Sequence, residues 1–283
     1  MPIDPAVAIG AEIGEVSFAW TSSDVLLYHL ALGAGPDEPR FTYERDLVVL
    51  PTFATVAANL RVFDPPAVSF PGVEIDLAKV LHGKQEITLH RPIPASGKAV
   101  ARSRIADVFD KGKAAVVVQE VSVTSSDGSP LWTARSSIFA RGEGGFGGSR
   151  GPSDRVEWPS RSPDAVLETP TLPQQALLYR LCGDRNPLHA DPEFARAAGF
   201  PGPILHGLCT YGIVNRVLTN EFLDGDPSRI GSFAAKFAGV VFPGETLRTR
   251  VWREDGRLLV TTSAAERDDA PVLADTVLTV STS

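Results

Sequence analysis

The segment Tyr179–Gly207 reads YRLCGDRNPLHADPEFARAAGFPGPILHG. It sets Asp184 and His189 five residues apart, in a stretch that glycines and prolines interrupt too often for one continuous helix or strand. Asn186 precedes a proline, and a residue in that position avoids the α region, so the connection is predicted to be extended and stiff. The acid and the imidazole can therefore point at one common spot.

Helix signals flank this connection. Thr171, with a glutamine three residues later, has the pattern of a capping box and predicts a helix over Leu172–Leu181. Asp191 is the predicted N-cap of the next helix, which has a proline in its first turn and Gly199 just beyond its end. The acid and the imidazole thus lie in a loop between two capped helices.

The same segment runs into an apolar helix predicted over Gly207–Leu218. The first amides of a helix lack internal partners and carry partial positive charge, and a glycine there lets a ligand oxygen approach the backbone closely. Such an amide can act as an oxyanion hole for a carbonyl that gains negative charge during reaction. With an acid and an imidazole to exchange protons with water, this pattern favours hydration of a double bond conjugated to a thioester.

Composition narrows the classes of function. The chain has 283 residues and a net charge of −7, so it has no overall basic footprint for nucleic acid. Cys182 and Cys209 are its only cysteines, which is typical of a reducing compartment rather than a disulfide scaffold. The N-terminal sequence lacks the basic and apolar regions of a signal peptide, and the apolar helix is too short and too polar to span a bilayer. We expect a cytoplasmic protein.

The chain carries a weak internal duplication. VLLYHLALGAGP (Val25–Pro36) aligns without gaps with ALLYRLCGDRNP (Ala176–Pro187). The Gly-, Ser- and Pro-rich segment Arg141–Pro163 has no apolar period and is typical of a linker. The predicted division is a first repeat over residues 1–145, a linker over 146–163 and a second repeat over 164–283.

Each half is predicted to run helix, loop, apolar helix and then antiparallel strands joined by tight turns. This order indicates an α+β fold in which a sheet wraps a helix. The strand candidates are Glu86–Arg91, Ala99–Phe109, Lys113–Thr124, Leu131–Arg141, Ser232–Val241, Thr246–Arg253, Arg257–Ser263 and Val272–Val280.

The segment Tyr179–Gly207 resembles, over its whole length, the hydratase 2 motif of the MaoC-like dehydratases, the (R)-specific enoyl-CoA hydratases. LHGKQEITLHRPIPASG and VVFPGETL look like the two halves of the longer, eukaryotic-type hydratase 2, so the resemblance spans nearly the full chain. It implies a double hot-dog fold, in which each of two repeats wraps an antiparallel sheet around a central helix. It also implies a homodimer.

The resemblance assigns roles to individual residues. Asp184 and His189 match the catalytic pair that holds the reacting water, and Gly207 matches the glycine whose amide receives the thioester oxygen. Asn186 matches the asparagine of the motif, which is expected to shape the loop or assist the water, and His206 is expected to support the helix start. The implied reaction is reversible hydration of a trans-2-enoyl-CoA to a (3R)-3-hydroxyacyl-CoA, without metal or organic cofactor.

The first half departs from this motif. Leu32 and Gly33 stand opposite Gly183 and Asp184, and no histidine follows Pro36 at motif spacing. The resemblance implies that this half has lost the catalytic pair and accommodates the acyl chain instead. It also implies that the apolar segment Val48–Leu60 is the reduced central helix of this half.

Alternatives stay open on sequence alone. The substrate can be carried by acyl carrier protein or be a steroid or branched acyl-CoA, and a non-catalytic thioester-binding subunit is a function of another class. His189, Asp191 and His206 have a spacing compatible with metal ligands, although Asp191 is already assigned as an N-cap. Cys182 lies beside the motif, in a helical position where buried inert thiols are common.

The identity of the base and the roles of several other residues also stay open. Either Asp184 or His189 can be the base, although an imidazole is the easier proton acceptor at ordinary pKa values. His82, in the stretch LHGKQ, is expected to support a turn or an interface. The candidate cations for the phosphates of CoA are Arg61, Lys84, Arg91, Arg185 and Arg216.

Overall fold

The structure, a computed structural model, describes residues 3–61, 69–75, 80–153 and 155–281. Its strands are β1 (Glu12–Trp20), β2 (Ser69–Phe70), β3 (Val73–Glu74), β4 (Val80–Leu89), β5 (Gly97–Asp110), β6 (Ala114–Ser125), β7 (Pro130–Arg141), β8 (Ala165–Pro170), β9 (Ile230–Phe237), β10 (Thr246–Glu254), β11 (Arg257–Ala264) and β12 (Ala270–Val280). Its α-helices are α1 (Pro5–Ala8), α2 (Ser22–Ala31), α3 (Pro39–Thr42), α4 (Gln175–Tyr179), α5 (Pro192–Ala197) and α6 (Gly207–Phe222).

Ten strands form one antiparallel sheet in the order β1-β5-β6-β7-β4-β9-β12-β11-β10-β8. The second five strands repeat the order of the first five from the opposite edge, so the two halves have the same topology. β4 and β9 pair antiparallel at the centre, where Lys84 lies opposite Lys236 and Thr88 lies opposite Ser232. This pseudo-twofold arrangement confirms the α+β double hot-dog fold that the sequence predicts.

The sheet wraps around α6, the helix that begins at Gly207. Ten of its sixteen residues are buried. The hydroxyl of Tyr211 donates to the carbonyl oxygen of Phe233 at 2.6 Å and ties the helix to β9. On the other side α2 approaches Gly212, where a Cβ would lie 2.6 Å from Leu32 Cδ2 and 2.9 Å from the Tyr28 hydroxyl oxygen. A glycine is therefore needed for the two halves to pack at this point.

The prediction of an apolar helix over Val48–Leu60 was wrong in its form. The structure has a single 3-10 helix, Pro51–Thr55, followed by turns up to Arg61. Pro51 opens this 3-10 helix, and the segment contains β-branched threonine and valine, which are poor helix formers. The segment is nevertheless buried, because Leu50, Phe53 and neighbouring side chains join the main hydrophobic core.

Each half opens with a strand that the sequence analysis did not predict. β1 and β8 lie at the two edges of the sheet, and β1 has exposed or half-exposed residues at all positions except Trp20. The alternation of Val16, Phe18 and Trp20 in β1 was an available strand signal that the sequence analysis did not use. The central strand boundaries also differ, since β4 begins at Val80 and β9 ends at Phe237.

Thr171 is not the N-cap of α4, which corrects the predicted helix over Leu172–Leu181. Its hydroxyl donates to the carbonyl oxygen of Glu245 at 2.8 Å and joins the strand end to a neighbouring loop. The helix starts later, and the side chain of Gln175 accepts a hydrogen bond from the amide of Leu172 at 2.8 Å. A tertiary partner for the threonine thus replaces the local capping box.

A buried ion pair also joins the two halves. Arg216 on α6 contacts the carboxylate of Glu38 at 2.5 Å, and Asn220 donates to the same carboxylate at 2.5 Å. The amide of Gly35 donates to it as well, at 2.9 Å, so the carboxylate is well satisfied. Its pKa is lowered, since the favourable contacts with Arg216 and the donors outweigh the effect of burial. Within the part of the chain that the structure describes, no helix has the length and apolar content needed to cross a membrane.

We expect the stability of the fold to fall on mild acidification. His29 is fully buried; its Nδ1 donates to the carbonyl oxygen of Phe41 at 2.9 Å, and its Nε2 accepts from the amide of Leu50 at 3.3 Å. Burial lowers the pKa of His29 from 6.5 to about 4. The unfolded chain therefore takes up this proton first, so stability is full above pH 6.5 and falls as the pH drops towards 4, by roughly 3 kcal/mol in total.

Urea unfolding between pH 7.5 and 5 measures this loss. The variant His29→Gln is expected to be less stable at pH 7.5 but to show a shallower dependence on pH, because one buried imidazole has been removed. The exposed His90 provides the control variant His90→Gln, which is expected to follow the wild type. Equal slopes for His29→Gln and the wild type would contradict the assignment.

Candidate active site

The chain turns sharply between α4 and the predicted pair. α4 continues as a 3-10 turn, Arg180–Cys182, and ends at Gly183 with a φ of +117°. A Cβ at Gly183 would lie 2.2 Å from the backbone oxygen of Asn59, so the turn packs directly on the backbone of the first half. Both the positive φ and the close contact favour glycine, and Asp184 follows immediately.

The loop from Asp184 to His189 is held by its own polar groups. Asp184 Oδ1 accepts from the amide of Asn186 at 3.1 Å, and Asn186 Oδ1 accepts from the amide of Leu188 at 3.0 Å. Asn186 thereby caps the 3-10 helix Pro187–His189. This contact is a loop-shaping one, the first of the two roles expected for the asparagine.

His189 is presented in one tautomer. Its side chain is buried, and Nδ1 lies 2.8 Å from the carbonyl oxygen of Ile204. A carbonyl oxygen can only accept, so Nδ1 carries the proton and the Nε2 of the neutral ring has a free lone pair. The imidazole is thus oriented as a proton acceptor. Asp191, the next polar residue, caps α5 through the amides of Glu193 and Phe194, as predicted.

His206 lies against both predicted catalytic residues. Its Nε2 is 3.3 Å from the carbonyl oxygen of Asp184, and its ring stacks on the ring of His189 with centroids 3.6 Å apart. One donor or acceptor atom from each of Asp184, His189 and His206 lies within 4.8 Å of the other two. Polar atoms this close to one another can share a single bound water through hydrogen bonds.

Burial sets the charge state of the two rings. Burial lowers the pKa of His189, while the backbone hydrogen bond to Ile204 and the negative charge of Asp184 oppose this shift. Burial and the neighbouring ring of His189 lower the pKa of His206 to about 2. Both imidazoles are therefore neutral at pH 7. The site has a ready proton acceptor beside a carboxylate that stabilises the imidazolium once it forms.

The amide of Gly207 lies at the start of α6, one residue after His206, whose ring stacks on His189. Gly207 is exposed, and its amide is the first of the helix, with no hydrogen-bond partner among the described residues. The ring of Phe237 closes one side, since a Cβ at Gly207 would lie 3.0 Å from it. An unpartnered first amide of a helix is the kind of donor that an oxyanion hole requires.

Comparisons with known proteins agree with this geometry. A family model described as a MaoC-like domain matches residues 155–271, and one described as the MFE-2 hydratase 2 N-terminal domain matches residues 18–142. The enoyl-CoA hydratase ChsH3 of Mycobacterium tuberculosis is 54% identical over 279 residues, which cover 97% of this chain and 98% of the relative. The chain belongs to the MaoC-like hydratase 2 family.

Two further comparisons cover nearly the whole length of this hydratase 2 protein. 3-hydroxyacyl-thioester dehydratase Y of Mycobacterium tuberculosis is 44% identical over 287 residues, covering 95% of this chain and 94% of the relative. The crystal structure of a MaoC-like dehydratase from Phytophthora capsici superposes with a TM-score of 0.91 at 30% identity, covering 99% of this chain and 98% of the other. The chain is an enzyme of the hydro-lyase class.

The structure brings one residue to the hydratase 2 site that the sequence analysis did not place there. His82 lies in β4 rather than in a turn, and its ring packs on Phe237 with centroids 4.6 Å apart. Burial lowers its pKa to about 4, and the charge of Asp184 opposes the shift. The signal was present in the LHGKQ stretch, but only the pairing of β4 with β9 shows which residues His82 faces.

Other candidates from the sequence are excluded or separated from the pair. Burial raises the pKa of Cys182 to about 12, so the thiolate that a nucleophile needs is not formed. Arg216 is engaged with Glu38 and is only 10% exposed, which removes it from the candidate cations for CoA. Lys84 lines a cleft of about 560 Å³ on the face of the sheet away from α6.

Two of the candidate cations are accessible. Arg61 forms an ion pair with Asp24 at 2.7 Å, with 68% of its side chain exposed. Arg91 contacts Ser125 at 2.5 Å and Asp127 at 3.9 Å, with 40% of its side chain exposed. Arg185 is half-buried and lies within the loop from Asp184 to His189.

Proposed function

We propose that this enzyme catalyses the reversible hydration of trans-2-enoyl-CoA to (3R)-3-hydroxyacyl-CoA, with Asp184 and His189 as the catalytic pair. The observation that carries this proposal is the free lone pair on His189 Nε2, in a group with the carboxylate of Asp184 and the ring of His206, which immediately precedes the first amide of α6. Hydration of an enoyl thioester needs these three groups: a proton acceptor, a charge that stabilises it and a donor for the thioester oxygen.

The reaction follows from this arrangement. A water held between Asp184 and His189 gives one proton to His189 Nε2, and its oxygen bonds to C3 of the enoyl group. The electron pair of the C2–C3 double bond moves towards the thioester oxygen, where the amide of Gly207 stabilises the negative charge. The imidazolium, stabilised by Asp184, then delivers the proton to C2 on the same face. The net change is the addition of one water, and the steps require no metal or organic cofactor.

The first half supports this function in a different way. It lacks the acid and the histidine at motif spacing, so we propose that it accommodates the acyl chain. The division into repeats at 1–145 and 164–283, with a linker at 146–163, stays a prediction of the sequence. A homodimer and a cytoplasmic location are likewise predictions, and light scattering after gel filtration measures the first of them.

The proposal is tested with purified protein and a series of trans-2-enoyl-CoA substrates. We expect loss of the enoyl absorbance and formation of the (3R) product, identified by chiral chromatography. Parallel reactions with the same acyl groups on acyl carrier protein compare the two carriers, and a higher kcat/KM on the protein carrier would favour the dehydratase alternative. Failure to hydrate any enoyl thioester would favour a non-catalytic binding subunit, and a (3S) product would reject the stereochemistry.

A further inference from the structure

His206 belongs to a column of aromatic rings that runs from the first half of the molecule to His189. Ring centroids are 6.2 Å apart between Tyr28 and Tyr179, 4.9 Å between Tyr179 and His206, and 3.6 Å between His206 and His189. All four side chains are buried, and Tyr28 comes from α2 of the half that lacks the motif. The catalytic imidazole therefore rests on a support that both halves build.

His206 contacts the second member of the pair through its edge. Its Nε2 donates to the carbonyl oxygen of Asp184 at 3.3 Å, so the proton of the neutral ring lies on Nε2. Nδ1 is then a bare acceptor, and it is buried without a hydrogen-bond partner among the described residues. A buried polar atom without a partner is unfavourable, and a hydrophobic side chain of similar shape would avoid it. An imidazole at this position thus needs a reason beyond packing.

We propose that His206 is a positioning residue of the hydration reaction, which fixes the ring of His189 by stacking and the backbone of Asp184 by hydrogen bonding. The inference rests on the proposed function, because it concerns the same catalytic pair. Asp184 and His189 are joined by a short loop, and one side chain from the start of α6 holds both ends of it. A misplacement of about 1 Å can cost about 10²-fold in rate, so this clamp acts directly on turnover.

The stacked ring also controls the protonation of His189. The titratable and charged groups that act on the two rings are Asp184, Arg180, the phenol of Tyr179, which packs against His206, and the rings themselves. With centroids 3.6 Å apart, both rings cannot carry a positive charge together, and the pKa of His206 is about 2. The proton taken from water therefore does not pass from His189 to His206, and it remains available for transfer to C2. Removal of the ring admits water to His189, which reduces the desolvation that lowers its pKa.

Two substitutions separate the two contacts. His206→Phe keeps an aromatic face against His189 but removes the donor to Asp184, whereas His206→Gln keeps an N–H donor but removes the ring. We expect kcat to fall by about 10- to 100-fold in both variants, with KM changed by less than about threefold. The acid limb of the kcat/KM profile is expected to move to higher pH only in His206→Gln. His90→Gln, a change at an exposed imidazole, is the matched control.

The outcomes are distinct. A lowered melting temperature with wild-type kcat and a wild-type pH profile in both variants would reduce His206 to a structural role and overturn the inference. If His206→Gln does not fold, the kinetics of His206→Phe and ¹⁵N NMR of the wild-type imidazoles still test whether His206 has the positioning role. A His206 ring protonated at pH 6, or with its proton on Nδ1, would contradict the proposed hydrogen bond. The proposed function fails separately, if Asp184→Asn keeps wild-type activity.

Discussion

The variant Asp184→Asn is expected to hydrate enoyl-CoA about 10³-fold more slowly than the wild type, with little change in KM. The amide side chain has the same shape, and its oxygen can still accept from the amide of Asn186. The hydrogen bond from His206 goes to the backbone of residue 184 and is also kept. Only the negative charge that stabilises the imidazolium of His189 is lost, so the effect falls on the chemical step.

His189→Asn is the companion variant. Its side-chain amide can replace Nδ1 as the donor to Ile204, while nothing replaces Nε2 as the proton acceptor. We expect a loss of about the same size, and a double variant little worse than either single one, because the two residues act as a unit.

The same loop offers a matched control. Asp191 caps α5 through backbone amides, and Asn is as good an N-cap as Asp, so Asp191→Asn is expected to keep wild-type activity and stability. Steady-state kinetics with crotonyl-CoA and a longer enoyl-CoA measure the wild type, the two single variants, the double variant and the Asp191→Asn control. More than a tenth of wild-type kcat in either Asp184→Asn or His189→Asn would reject the assigned pair.

Gly183→Ala is expected to reduce activity at least about 100-fold and to destabilise the fold. A Cβ at this position would lie 2.2 Å from the backbone oxygen of Asn59 and 2.8 Å from its carbonyl carbon. The obstacle is backbone, so no side-chain rotation relieves it, and the catalytic loop must move away from the first half. Because Asp184 is the next residue, the movement displaces the pair, and displacements of about 1 Å carry costs of about 10²-fold.

Gly199→Ala separates this clash from the backbone strain. Gly199 also has a positive φ, of +89°, but nothing lies within 4 Å of a Cβ built there. The free energy of unfolding of Gly199→Ala should therefore fall by only roughly 1 kcal/mol, because alanine is disfavoured in the left-handed conformation. The variant should retain wild-type activity. Thermal unfolding and kcat are measured for both variants. Equal behaviour of the two variants would show that the contact with Asn59 does not hold the loop.

Much of the catalytic loop could be predicted from the sequence because its contacts are local. Asn186 bonds to the amide two residues ahead, Asp191 caps the helix that follows it, and the turn at Gly183 is signalled by the residue type itself. Such hydrogen bonds depend on spacing along the chain and not on distant segments. The repeated pattern in the two halves likewise predicted two α+β repeats with antiparallel strands, and the two repeats do share one strand order. The double hot-dog fold itself was implied by the family resemblance.

The parts that could not be predicted depend on partners far away in the sequence. Thr171 has an ideal local capping pattern, yet a carbonyl oxygen 74 residues away takes its hydroxyl. The sequence presents Arg216 as a candidate surface cation, but in the structure it is buried and forms an ion pair with Glu38 of the other half. In each case a long-range contact outweighs a local preference of about 1 kcal/mol or less.

The sequence by itself determined the local turn that Asp184 and His189 share, and it predicted that these two residues carry the chemistry. Only the tertiary structure decided which residues pack around them. The ring of His206 stacks on His189, and the backbone of Asn59 contacts Gly183. His82, from the central strand of the other half, packs on Phe237 next to the site. The physical reason is that residue type and spacing set local hydrogen bonding. The orientation and the proton affinity of a buried imidazole are instead set by desolvation and by neighbours that the fold brings together.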